Sequence, residues 1–165
     1  MKHMLSKKMA DALNEQVNAE LYSAYLYLSM AAHFEAGNWP GFAQWMKTQN
    51  REEWGHAMKF FDFIITRGGR VVLPAIAQPQ SAFESHLAIF EQTLEHEKQV
   101  TASIHHLYDL ALECKDYASQ VFLQWFITEQ VEEEKSAAAL VETLKTIGDK
   151  PSTLIYLDKR VGDRK

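Results

Sequence analysis

Residues 49–61 read QNREEWGHAMKFF, and the fold turns on Glu53 in the middle of that stretch. At about 100° per residue, Phe42, Met46, Ala57, Phe60 and Ile64 fall within about 40° of Glu53 on one helical face. His56 follows three residues later at the edge of the same face. A carboxylate at the centre of an apolar stripe is costly to bury, so something must compensate it.

Working outward, the other long periodic segments repeat this arrangement. Glu20 lies between Leu13 and Tyr27, Glu97 between Phe90 and Ile104, and Glu133 between Phe126 and Leu140, each flank one heptad away. The periodicity predicts four long helices, at about 6–34, 40–67, 84–114 and 117–147, and a short fifth at 151–160. Each glutamate falls near the midpoint of its helix. The stretch GRVVLPAI is the one that reads as extended, and the tail beyond the fifth helix is expected to fray.

Connection lengths set the topology. The first and third links are short and join antiparallel neighbours. The middle link, residues 68–83, can span at most ~53–58 Å, while a 28-residue helix is ~42 Å long. It can therefore climb the whole assembly and leave the second and third helices parallel. The prediction is an all-α, four-helix bundle with one long crossover, formed by residues 1–165 as a single domain.

Bulk properties fit that class. The chain has 165 residues, 47% hydrophobic and 24% charged, as expected of an ordinary globular domain. A net charge of −5 gives no support to a nucleic-acid or polybasic membrane partner. No apolar run approaches the ~18 residues of a membrane span, and the first residues lack the apolar core of a signal peptide. Cys114 is alone, which excludes an intrachain disulfide and a CxxC metal knuckle and makes a reducing cytoplasm the expected compartment. Met4 is a second candidate start, which would make residues 1–3 an extension.

A single glutamate on an apolar face is usually paired with Lys or Arg. None occurs three, four or seven residues to either side of Glu20, Glu53, Glu97 or Glu133. Four carboxylates at one level would repel strongly, whereas two divalent ions would balance them. Carboxylate oxygen with one imidazole suits Fe, Mn or Zn rather than Cu(I) or an Fe–S cluster. The Glu-x-x-His of Glu53 and His56 is weak alone and strong beside three other mid-helix glutamates.

The segments LNEQVNAELYSAYLYLSMA, REEWGH, LEHEK and FLQWFITEQVEEEK resemble the non-haem ferritins of bacteria and archaea, over essentially all of residues 4–160. The resemblance implies a ferritin-like bundle and an iron-storage ferroxidase in a hollow 24-subunit shell, using Fe(II) with O2 or hydrogen peroxide. It implies that Glu20, Glu53 and His56 hold one iron, and Glu53, Glu97 and Glu133 a second, with Gln130 beside it and Glu53 bridging. A third iron site would use Glu52, Glu129, Glu132 and Glu133. Tyr27 matches the family's tyrosine beside the centre and Trp125 its nearby tryptophan. The fifth helix is similar to the element that gathers at four-fold axes.

Departures from related families narrow the reading. Bacterioferritins carry a second Glu-x-x-His where this chain has Gln130 and Glu133, and their haem-binding methionine corresponds to Trp54, so no haem is expected. The acidic three-fold pore positions of animal ferritins correspond to Gln120 and Leu123. His86, His105 and His106 read as exposed helix residues, and Trp39, Phe42, Trp45, Phe60, Phe61 and Phe63 as core and subunit contacts. Two rivals are a di-iron peroxidase or oxygenase, and a non-catalytic helical scaffold or DNA-protecting mini-ferritin. The peroxidases usually add a Cys-rich domain, which one cysteine excludes, and an oxygenase would need a substrate pocket and a reductase partner; mini-ferritins build their iron site between subunits, whereas a complete set lies within this chain.

Overall fold

The computed structural model describes residues 4–164, so the expectation about residues 1–3 lies outside it. Five helices follow in order: α1 (Lys7–Ala36), α2 (Pro40–Thr66), α3 (His86–Glu113), α4 (Tyr117–Ile147) and α5 (Pro151–Val161). Their ends have local causes. Ser6 and Ser85 cap α1 and α3 by accepting from Met9 N and Ala88 N, which is why α3 starts at His86 rather than at 84. Asp116 caps α4 and also takes the Arg67 guanidinium at 2.9 Å, tying the end of α2 to the start of α4. Asn38 and Lys115 adopt positive φ (60° and 52°), reversing the chain in the two short links.

The middle link forms no strand, so the extended reading of GRVVLPAI holds only as irregular backbone. Polar side chains of α1 fasten it in ascending order. Asn14 donates to Arg70 O and accepts from Val72 N, Asn18 donates to Ala75 O, and Ser29 donates to Gln80 O. From residue 14 to 29 an α-helix rises about 22 Å. The link thus climbs α1 and delivers α3 parallel to α2. Packing is mainly α1 against α2 and α3 against α4, closing a four-helix bundle with one crossover.

Apolar side chains fill the bundle in two separate clusters. One gathers Tyr27, Met30, Phe34, Phe42, Met46 and Phe90 towards the α5 end. The other gathers Met9, Leu13, Ala57, Phe60, Ile104 and Phe126 towards the opposite end. Leu123 is fully buried in the second cluster, which corrects its assignment to a pore: the helical phase of α4 turns it inward, while Val121 beside it is exposed.

α2 opens with Pro40 at its first turn and has no side-chain cap of its own. Asp158, on α5, supplies one by accepting from Phe42 N at 2.9 Å. Gly41 permits that approach, since a Cβ there would meet Asp158 O at 1.7 Å. Through Arg164 the tail packs where fraying was expected: Val161 is buried and Arg164 reaches Glu52. Asp158→Ala should lower stability by about 1–2 kcal/mol through loss of the cap, and Asp158→Asn by less because an acceptor remains. Denaturant unfolding of the three proteins checks this, and equal midpoints would remove Asp158 from the cap.

Candidate metal centre

Between the two apolar clusters lies one polar layer. Glu20, Glu53, Glu97 and Glu133 come from α1, α2, α3 and α4 in turn, and each is at most 5% exposed. Each sits near its helix midpoint, so antiparallel and parallel neighbours alike bring the carboxylates to the same height. Ligand atoms of Glu20, Glu53 and His56 lie within 4.8 Å of one another, as do those of Glu53, Glu97 and Glu133. Glu53 belongs to both groups. A third group joins His56, Glu129 and Glu133.

Neutral donors hold these carboxylates in place. Gln16 donates to Glu20 Oε1 at 2.8 Å, and Gln49 donates to Glu133 Oε2 at 3.0 Å. Gln130 donates to Glu97 Oε2 at 3.1 Å, and the Tyr27 hydroxyl donates to Glu97 Oε1. His56 turns Nδ1 toward Glu53 Oε2 at 3.2 Å and Glu20 Oε2 at 4.0 Å. The Trp125 and Phe126 rings stand edge-on to its imidazole. Among the described residues no Lys or Arg pairs with any of the four glutamates. Glu20 Oε2 and Glu53 Oε1 are buried without a hydrogen-bond partner.

The electrostatics follow from that crowding. Burial, then the charge of Glu53, pushes the Glu20 carboxyl well above the usual carboxylate range. Burial, then Glu97, does the same to Glu53. Burial raises Glu97, against the hydrogen bonds from Tyr27 and Gln130. Burial, then Glu97, takes Glu133 up to about 7. Tyr27, raised well above its ordinary value by burial and by Glu97, remains a phenol and a donor.

The proposed third-site residues are divided. Glu129 joins His56 and Glu133, whereas Glu52 pairs with Arg164 at 2.7 Å and Glu132 faces Lys135 at 3.8 Å. His105 and His106 are exposed as expected. His86 is not: it is half-buried among Phe34, Trp39 and Phe42, because the start of α3 leans on the ends of α1 and α2. Sequence reasoning missed Gln16 and Gln49, although each stands four residues before a seam glutamate. It also missed His96, whose Nε2 lies 2.7 Å from Ser23 Oγ and whose ring meets Tyr27 edge-on.

The Ferritin-like domain family matches residues 10–147. The chain belongs to the ferritin family. A bacterial non-heme ferritin of Bacteroides fragilis is 42% identical over 161 residues, covering 98% of this chain and all of that one. One from Staphylococcus aureus is 37% identical over the same length, covering 98% of this chain and 97% of the other. The open pore ferritin of the hyperthermophilic archaeon Archaeoglobus fulgidus superposes with a TM-score of 0.97 at 52% identity, covering 98% of both chains. Iron storage is the function that this membership gives the chain, and the all-helical bundle with its short C-terminal helix is the ferritin fold.

A carboxyl whose pKa is raised by folding keeps its proton longer in the folded chain than in the unfolded one, so stability falls as pH climbs through that window. Metal-free protein should lose stability, by a few kcal/mol in all, from about pH 4.5 towards pH 7, the level reached by Glu133. Ligation demands the deprotonated form, so the gain in unfolding temperature from a redox-inert divalent metal should grow over the same window, with protons released. Glu53→Gln should equal or exceed wild type without metal and lose most of the metal-induced gain. Thermal unfolding of both proteins across pH is the measurement. A mutant several kcal/mol weaker without metal would mean that Glu53 has a protein partner.

Proposed function

We propose that the buried carboxylate layer is a ferroxidase centre, and that residues 1–165 act as one ferritin-like unit of a hollow homo-oligomeric shell, 24 subunits as the resemblance implies. One observation carries the reading: two adjacent ligand groups share Glu53, among buried carboxylate oxygens that no Lys or Arg of the described residues satisfies. Iron is both substrate and cargo. Glu20, Glu53 and His56 would hold one Fe(II), and Glu53, Glu97 and Glu133 the other. A shared carboxylate keeps two such metals about 3.5–4 Å apart. The pair supplies two electrons, which with two protons take O2 to hydrogen peroxide or hydrogen peroxide to two waters, leaving two Fe(III).

The chain's own residues prepare that exchange. Gln16, Gln49 and Gln130 orient the carboxylates from neutral side chains, adding no charge that would repel a metal ion. Gln130 acts here through Glu97 by its amide nitrogen, and its amide oxygen is the ligand atom it would offer the second iron. Tyr27 gives Glu97 a hydrogen bond from the adjacent apolar layer and stands where it can pass a proton or an electron. The Glu129 carboxylate leads away from the pair, an exit step for Fe(III) before it joins an oxyhydroxide mineral. The cytoplasm is the compartment proposed, in keeping with the free Cys114.

Size-exclusion mass with an iron count after aerobic Fe(II) loading tests the function as a whole: a large particle holding hundreds of irons is expected, and a small one holding two per chain would mean a di-iron enzyme instead. His56→Ala should slow the first phase of Fe(II) oxidation at least tenfold without preventing assembly, because one imidazole is lost from the ligand set while the apolar clusters on either side of the layer are kept. Stopped-flow absorbance reads this, and an unchanged first phase would take His56 out of the centre. Tyr27→Phe should keep metal stoichiometry but change the decay of the early coloured species. Superimposable decays would leave Tyr27 as packing.

A further inference from the structure

The C-terminal segment makes a contact that the ferroxidase reading does not use. After α5 the chain crosses the start of α2 at backbone distance, with Gly162 so close that a Cβ there would come 2.9 Å from Gly41 Cα. Arg164 then lies along α2. Its guanidinium covers the Trp45 ring at 4.7 Å from the centroid, and Nη2 donates to Glu52 Oε2 at 2.7 Å. Trp45 and Glu52 are two turns apart on one face of α2, so one side chain spans both. Glu52 directly precedes Glu53, and its charge reaches both Glu53 and Glu133.

Beside the pair of metal positions, His56, Glu129 and Glu133 form a further group that shares a residue with each of them. Glu52 is near enough to act on Glu133 electrostatically, yet it stands outside this group, with its carboxylate paired to Arg164. We propose that Arg164 is a tethered competitor for Glu52: a third divalent cation entering beside His56, Glu129 and Glu133 gains the Glu52 carboxylate only by displacing the C-terminal guanidinium. The proposal rests on the two-metal reading of the centre and adds a control on how iron leaves it. The pair suits a reversible latch. Arg164 and Glu52 are 25% and 38% exposed, so water screens their attraction, and a divalent ion can outcompete a single guanidinium.

The test is anaerobic calorimetric titration of the metal-free assembled protein with Zn(II). Wild type should bind two Zn(II) per subunit tightly and a third weakly. Arg164→Gln should leave the first two unchanged and tighten the third by roughly three- to tenfold, the range expected of a half-exposed ion pair with a cation–π contact. Arg164→Lys, which keeps the charge on a shorter fork-less side chain, should fall between the two. Adding Glu52→Gln to Arg164→Gln should erase the gain. An unchanged or weaker third site in Arg164→Gln would overturn the proposal, as would a gain that survives in the double variant. Absence of the first two tight Zn(II) in wild type would instead overturn the two-metal reading, so the two failures are distinguishable.

Discussion

Four carboxylates buried at one height inside a closed helix bundle are the constraint around which this structure is arranged. Each comes from a different helix, so every helix must keep its register for the layer to form. The layer splits what would otherwise be one continuous core, leaving an aromatic-rich cluster on the α5 side and a more aliphatic one opposite. With no Lys or Arg of the described residues paired inside, the folded chain relieves the repulsion by holding protons or by binding cations. Both responses are built in: burial raises the carboxyl pKa values, and Glu20 and Glu53 each keep a buried oxygen without a hydrogen-bond partner.

The supporting side chains show the same economy of charge. Gln16, Gln49, Gln130 and Tyr27 donate hydrogen bonds without bringing positive charge. An arginine in any of these places would satisfy a carboxylate permanently and close the site to metal. At the margin, Arg164 stands at Glu52 just outside the layer, where an ion pair is weak enough to exchange. Charged neighbours are therefore graded by depth: neutral donors inside, an exchangeable cation at the margin.

Long-range contacts decide how the bundle's ends are finished. α2 begins at Trp39-Pro40 with no side-chain cap of its own, and the Phe42 amide in its first turn is served by Asp158, more than a hundred residues later. The crossover is held by Asn14, Asn18 and Ser29 of α1 rather than by strand pairing. That is why a segment rich in Val, Leu and Pro stays irregular: its polar backbone groups find side chains on a helix instead of another strand.

The helices, the crossover and the four seam glutamates were legible in the sequence because each rests on local periodicity and chain length. A 3.6-residue repeat fixes which side chains share a face, and sixteen residues of link fix how far the chain can travel. Leu123, His86 and the tail were misjudged for the opposite reason. Whether Leu123 faces a pore or the core depends on the phase of α4 against its neighbours, and the burial of His86 depends on the ends of two other helices. Which carboxylate meets which glutamine, and that Glu52 meets Arg164 rather than Glu129, are likewise decisions of packing. Sequence by itself determined that four carboxylates must share a buried layer; only the tertiary structure decided their partners, because hydrogen bonds and ion pairs act over a few ångströms between segments whose approach no local pattern encodes.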